Sequence, residues 1–282
     1  MYQVWVEHER LQKTELTNNP SFVIKEIDGL AKLDSSINTT VIANSDGSLF
    51  NSSRVNDKPI AITILPQFPV EENRQLLYKY FRMGKPVKLY YKNQNRDVFI
   101  NGYVSDRDGS LFEMLQTIII EIKCNKPFFE DRLTTIKGMS QVLNMFEFPF
   151  TIEEDGIEFS TIDKELTQNI YNAGDRETGI IIELEASGEV INPIIYNVDT
   201  RESFGINITM QLGDLIRINT NKSNKKIELI RYGESRNIIN NVMKNPKWFQ
   251  LDIGDNLFTY VCESGEEFLN FKFIYANLYE GV

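Results

Sequence analysis

Ile60, Ile62 and Ile64 stand at alternate positions behind Pro59, with Ala61 and Thr63 between them. Successive side chains of an extended chain point to opposite faces, so the three isoleucines share one face of a strand. The same period of two recurs along the chain. Val87, Leu89 and Tyr91 alternate with Lys88, Tyr90 and Lys92, and Ile180, Ile182 and Leu184 with Glu183 and Glu185. Ile206, Ile208, Met210 and Leu212 repeat it, as do Leu269, Phe271, Phe273 and Tyr275. A helix with 3.6 residues per turn would scatter these side chains around its circumference. The fold class is therefore mainly β. Abundant Asn and scarce Ala point the same way, because Ala favours helices and Asn favours turns.

One helix is predicted in the first half, near 70–83. Pro69 suits its first turn, and Glu71 and Glu72 lie at its positive end. Leu76, Leu77, Tyr80 and Met83 make an apolar face, and Gly84 is placed as the residue just past its end. Strands are expected at 2–6, 22–27, 60–65, 87–92, 98–104 and 114–123, with a turn at Asp108-Gly109. Residues 31–56 are polar, with Ser, Thr, Asn and Asp throughout, and read as a long loop, of the kind that orders only on assembly. With 282 residues the prior is two domains, here 1–137 and 138–282. Phe146, Phe148 and Phe150 alternate around Pro149, so the junction is expected to begin the second domain. Beyond it, short strands with turn signals about every ten residues predict a β-sandwich.

Net charge is −10 and uneven. Residues 1–137 carry 18 basic and 17 acidic side chains, while 138–282 carry 12 and 23. An acidic balance argues against binding phosphate backbones, which depends on Lys and Arg. Near-neutrality of the first half suits it to contacts between copies. Cys124 and Cys262 lack metal-ligand spacing and read as buried thiols. The start has no signal-peptide pattern and no run is long enough to span a membrane, so synthesis and folding in a cytoplasm are expected.

Few residues carry chemistry. His8 is the sole histidine, which leaves triads and most zinc sites without parts. Glu153-Glu154-Asp155 and Asp106-Arg107-Asp108-Gly109 do not continue as calcium loops. No catalytic residue, metal ligand or cofactor is expected. Trp248 and Phe249, with Tyr260, are a candidate platform for stacking a sugar; their alternative place is the core. Glycan binding that fails when Trp248 is changed would identify a carbohydrate-binding module. Turnover of cell-wall material would identify a hydrolase.

The polar stretch with Asp46-Gly47, then Arg54, then a strand, resembles the N-terminal domain of bacteriophage distal tail proteins, the siphovirus-type tail component family. Leu212-Gly213-Asp214 followed by Leu215–Thr220 and Lys226–Leu229 resembles that family's C-terminal hairpin. Trp248-x-x-Leu251-x-x-Gly254-x-Asn256 resembles a signature of the same domain, with Ile253 where members often have Pro. Tyr279-Glu280-Gly281-Val282 is also similar. The resemblance implies a split β-barrel-like ring domain with one packed helix, followed by a galectin-like sandwich. It implies six copies in a ring joining the tail tube protein to the tail-tip hub, with receptor-binding proteins anchored outside. DNA would only pass through the channel, and no membrane is involved. Asp46, Gly47 and Arg54 are the candidate subunit-interface residues.

Overall fold

The computed structural model describes residues 2–8, 11–44, 46–139 and 167–282, with the backbone of 143–144 and 160–161. Phe146, Phe148, Phe150 and the Glu153–Asp155 run lie outside the described residues. Two compact units are found: Met1–Arg132 with Leu278–Val282, and Leu133–Asn277. The last five residues thus return to the first unit instead of finishing the second half to which their position in sequence assigned them.

The first unit is an antiparallel sheet that curls into a half-barrel. Its strands are β1 (Gln3–Glu7), β2 (Thr14–Glu15), β3 (Phe22–Asp28), β6 (Lys58–Pro66), β7 (Pro86–Lys92), β8 (Asp97–Gly109) and β9 (Ile118–Cys124). They lie in the order β2-β1-β7-β8-β9-β6-β3. Strand β10 (Phe129–Asp131) pairs with β8 and with the strand Leu278–Tyr279. Ile60, Ile62 and Ile64 face inward with Ile118, Ile120 and Ile122 of β9, all essentially inaccessible. The period of two is therefore a burial pattern. A slip of one residue would turn each set of isoleucines out to water.

Helix α1 spans Val70–Tyr80. It stops three residues earlier than the apolar spacing predicts. Phe81, its C-cap residue, drops into the core, whereas Met83 is 47% exposed. Asn73, polar yet buried, holds the helix start by donating to the Gln67 carbonyl at 3.0 Å. Strand β8 runs through Asp108-Gly109, where a turn was expected. Strand β9 begins at Ile118, not Met114, because residues 111–115 form an exposed turn.

Gly29 shows why one position admits no side chain. Its φ is +87°, and a Cβ there would lie 2.1 Å from the Pro59 carbonyl oxygen. The chain leaves β3 against the start of β6, and only glycine permits that approach.

In the second unit a six-stranded and a four-stranded sheet share one core. Ile182, Leu184, Ile216, Ile218 and Phe273 of the larger sheet meet Ile170, Ile195, Phe204 and Phe258 of the smaller. The expected strand over 206–212 is reduced to Thr209–Met210; Leu212 is 75% exposed. The Gly213-Asp214 turn is real, with Gly213 at φ +84°. Asp214 is buried and accepts from the Gln211 N–H at 2.7 Å and from Arg231 Nε at 2.8 Å. Burial pushes its carboxyl up, but the hydrogen bonds from Arg231 and Gln211 and the Arg231 charge outweigh this and hold it below its ordinary value. A carboxyl depressed by folding adds stability above its unfolded pKa and loses it as pH falls through the folded one. Asp214→Ala is expected to cost about 2–3 kcal/mol at neutral pH. Chemical denaturation at neutral and acid pH should show the difference between variant and wild type shrinking on the acid side.

Candidate interaction surface

Residues 31–56 are not a loop. β4 (Ser35–Val41) and β5 (Ser48–Val55) pair as an antiparallel arm that belongs to neither sheet. Every residue of β4 is exposed, and β5 is exposed except Val55. A strand with no buried face has no reason to alternate, which is why its composition reads as loop. Main-chain hydrogen bonds hold it, together with Asn51 Nδ2 donating to Thr40 Oγ1 at 2.7 Å.

Register explains its chemistry. Ile37 faces Ser53, Thr39 faces Phe50 and Val41 faces Ser48, with a bulge between Asn38 and Thr39. Cross-strand partners share a face. Without the bulge Phe50 would oppose Thr40 and point the other way. With it, Ile37, Val41 and Phe50 lie on one face, 64%, 77% and 63% exposed. An apolar stripe on a protruding ribbon is a contact surface awaiting cover. These three residues escaped the sequence reading, because the bulge breaks the period that would have linked them.

Asp46 and Gly47 lie exposed at the tip, Gly47 with φ +85°. Arg54 lies at the root, opposite Ser36. The structure therefore separates the three candidate interface residues. Arg54 instead lines an open groove with Asn56, Asp57, Ser105, Glu121 and Lys123. Lys123 and Asp57 pair across it at 3.1 Å.

At the other end of the sheet, the turn between β8 and β9 presents Phe112 and Met114 fully exposed, flanked by Leu111 and Leu115. Gln116 braces this turn, donating to the Leu111 carbonyl at 2.9 Å and accepting from Arg74 at 3.3 Å. Pairing of strand edges across subunits is not open to the strands over 87–91 and 114–123, although the near-neutral first half is the one suited to contacts between copies. Strand β7 lies between β1 and β8, and β9 between β8 and β6. Among the described residues the long edge strand of this sheet is β3, which pairs only with β6.

The sugar platform is likewise corrected. Phe249 is 1% exposed and Tyr260 5%, both inside the second unit's core. Trp248 is half-buried, its ring 5.1 Å from Phe204 in an edge-on contact. These rings are already stacked on protein.

Among the described residues, no group of three or more His, Cys, Asp or Glu is placed to hold a metal ion, and no helix is long and apolar enough to cross a membrane. His8 is buried. Burial pushes the thiols of Cys124 and Cys262 up to about 12, which leaves both as unreactive thiols at neutral pH. Asp106 and Asp108 lie within β8, each accepting from the next residue's N–H.

Residues 173–277 match the family described as siphovirus-type tail component, C-terminal domain. The whole fold is similar to that of the Dit protein of phage SPP1, described as a paradigm of the hub adsorption apparatus of phages infecting Gram-positive hosts. The TM-score is 0.70 with 8% identity, over 98% of this chain and 98% of that one. A chain of the phage P2 baseplate in its activated conformation with calcium matches with TM-score 0.56 and 13% identity, over 100% of both chains. A chain of the strontium form of the phage p2 baseplate gives 0.51 and 13%, over 97% of this chain and 98% of that one. No curated protein matches the chain by sequence.

Two β units, the second matching a tail-component family, define a structural component of phage tails. Residues 173–277 belong to the siphovirus-type tail component family as its C-terminal domain, and the fold over the whole chain is that of the SPP1 Dit protein.

Proposed function

We propose that six copies of the chain close into a ring at the tail tip, joining the tail tube to the tip hub and carrying receptor-binding proteins on its outside. The observation that carries this reading is the arm, whose apolar stripe of Ile37, Val41 and Phe50 has no cover within its own unit. An arm on one chain and a receiving surface on the next make a head-to-tail contact, which closes by rotation. The first unit is the ring-forming domain, and the second stands as a sandwich attached to it. The apolar turn at Phe112 and Met114 emerges at the end of the sheet opposite the arm. We assign it as the contact for a different tail protein.

The role is structural and non-catalytic and needs no cofactor. DNA passes through the channel without being read. The working location is the virion, after synthesis in the host cytoplasm. Light scattering and particle averaging of the purified chain test the reading. A sixfold ring is the expected result, and a monomer at all concentrations overturns it.

A further inference from the structure

The arm has two roots. One runs from β3 through Gly29, Leu30 and Ala31, and the other passes from β5 through Asn56 and Asp57 into β6 at Lys58. The segment Leu278–Val282, which reaches the first unit only after the chain has built the second, touches both. Its backbone is seated by Leu278-Tyr279 pairing with Phe129-Glu130 of β10. Gly281 lies on the first root: a Cβ there would be 3.3 Å from Ala31 Cα and 3.5 Å from the Leu30 carbonyl oxygen. At the second root, Lys58 Nζ donates to the Glu280 carbonyl oxygen at 3.0 Å. Arg96 completes the seat, donating from Nη1 to the Gly281 carbonyl at 3.1 Å with its guanidinium 4.0 Å from the Tyr279 ring centre.

Lys58 is the unusual member. It is 1% exposed, beside the Cys124 thiol and 5.1 Å from the Phe129 ring centre. A buried ammonium is costly unless it is hydrogen-bonded. Burial accordingly lowers its pKa, with Cys124 and Glu280 opposing. A lysine kept at the first position of a core strand, with its donor spent on a backbone 222 residues away, is unexplained by packing of β6 alone.

We infer that Leu278–Val282 is a clasp that fixes both roots of the arm, and that Lys58 and Arg96 are its positioning residues. The arm has no packed face of its own, so its direction is set at its roots. A ribbon pivoting at its base would lose the pre-organisation that makes a docking contact effective. The inference rests on the proposed intersubunit role of the arm only for its consequence; the clasp itself is a property of the single chain.

The test is hydrogen exchange on the full chain carrying Lys58→Met, Arg96→Ala or Gly281→Val, with oligomeric state measured alongside. Lys58→Met keeps the volume and removes the donor. Gly281→Val crowds Ala31 and leaves Lys58 untouched, so agreement between the two separates the clasp from a simple loss of one buried charge. Expected in each is exchange about tenfold faster at residues 30–34, 55–58 and 278–282 and along the arm, with β7, β8 and β9 unchanged. Assembly should weaken in parallel. Unchanged exchange at the roots overturns the clasp whatever the oligomer does, as does an equal rise throughout β7–β9. Faster root exchange with undisturbed assembly keeps the clasp and overturns the ring role of the arm.

Discussion

A chain carrying Val41→Ser and Phe50→Ser is expected to remain monomeric at concentrations where the proposed ring of the wild type assembles. Each side chain is more than half exposed in the single chain and is proposed to be covered by a neighbour. Covering a valine or phenylalanine contributes about 1.5–3 kcal/mol, so losing both removes roughly 3–5 kcal/mol per contact. At 1.4 kcal/mol per decade, the dissociation constant rises by about two to four orders of magnitude. The proposed ring would use that contact at every interface, so the assembled population should vanish rather than thin. Stability of the isolated chain should shift by less than about 0.5 kcal/mol, since the residues touch no core. Sedimentation velocity and thermal melting measure the two quantities separately. Normal rings from the double variant would remove the arm from the interface. Arg54→Glu is the companion variant: it alters the groove at the root and spares the apolar stripe, so a weaker effect is expected.

The second large effect belongs to the other unit. Phe249→Ala is expected to destabilise it by about 3–5 kcal/mol, as truncation of a fully buried aromatic does. Phe249 sits edge-on to Phe258, with ring centres 5.4 Å apart and planes at 75°, and Phe258 in turn packs on Phe273. The hole would open at the meeting of the two sheets. Trp248→Ala is expected to cost less, about 1–2 kcal/mol, because one side of its ring already faces outward beneath Lys225. Denaturant titration ranks the two. Neither change should alter oligomeric state, since both lie in the second unit and the ring contact is assigned to the first. Glycan retention by the intact chain that disappears in Trp248→Ala would instead restore the carbohydrate-binding reading.

By itself the sequence determined the class of fold and most of the core. The triplet Ile60, Ile62 and Ile64 and the run Leu269 to Tyr275 appear as half-buried strands, because a residue buried on one face must recur every second position, and Ile182 and Leu184 share a buried face although Glu183 between them is covered too. The resemblance to the distal tail protein family was also legible there, in Leu212–Thr220, Trp248–Asn256 and the last residues. What escaped was whatever burial does not enforce. The arm is all strand and all surface, so its pairing leaves no period in its composition, and one bulge hides that Phe50 joins Ile37 and Val41. The end of α1 escaped because Phe81 and Met83 are both apolar, and only the position of the sheet beneath decides which is covered. The return of Leu278–Val282 to Lys58 and Arg96 is a contact between distant parts of the chain. Local preferences carry no trace of it: a buried lysine's acceptor is found in three dimensions, and only the tertiary structure could supply it.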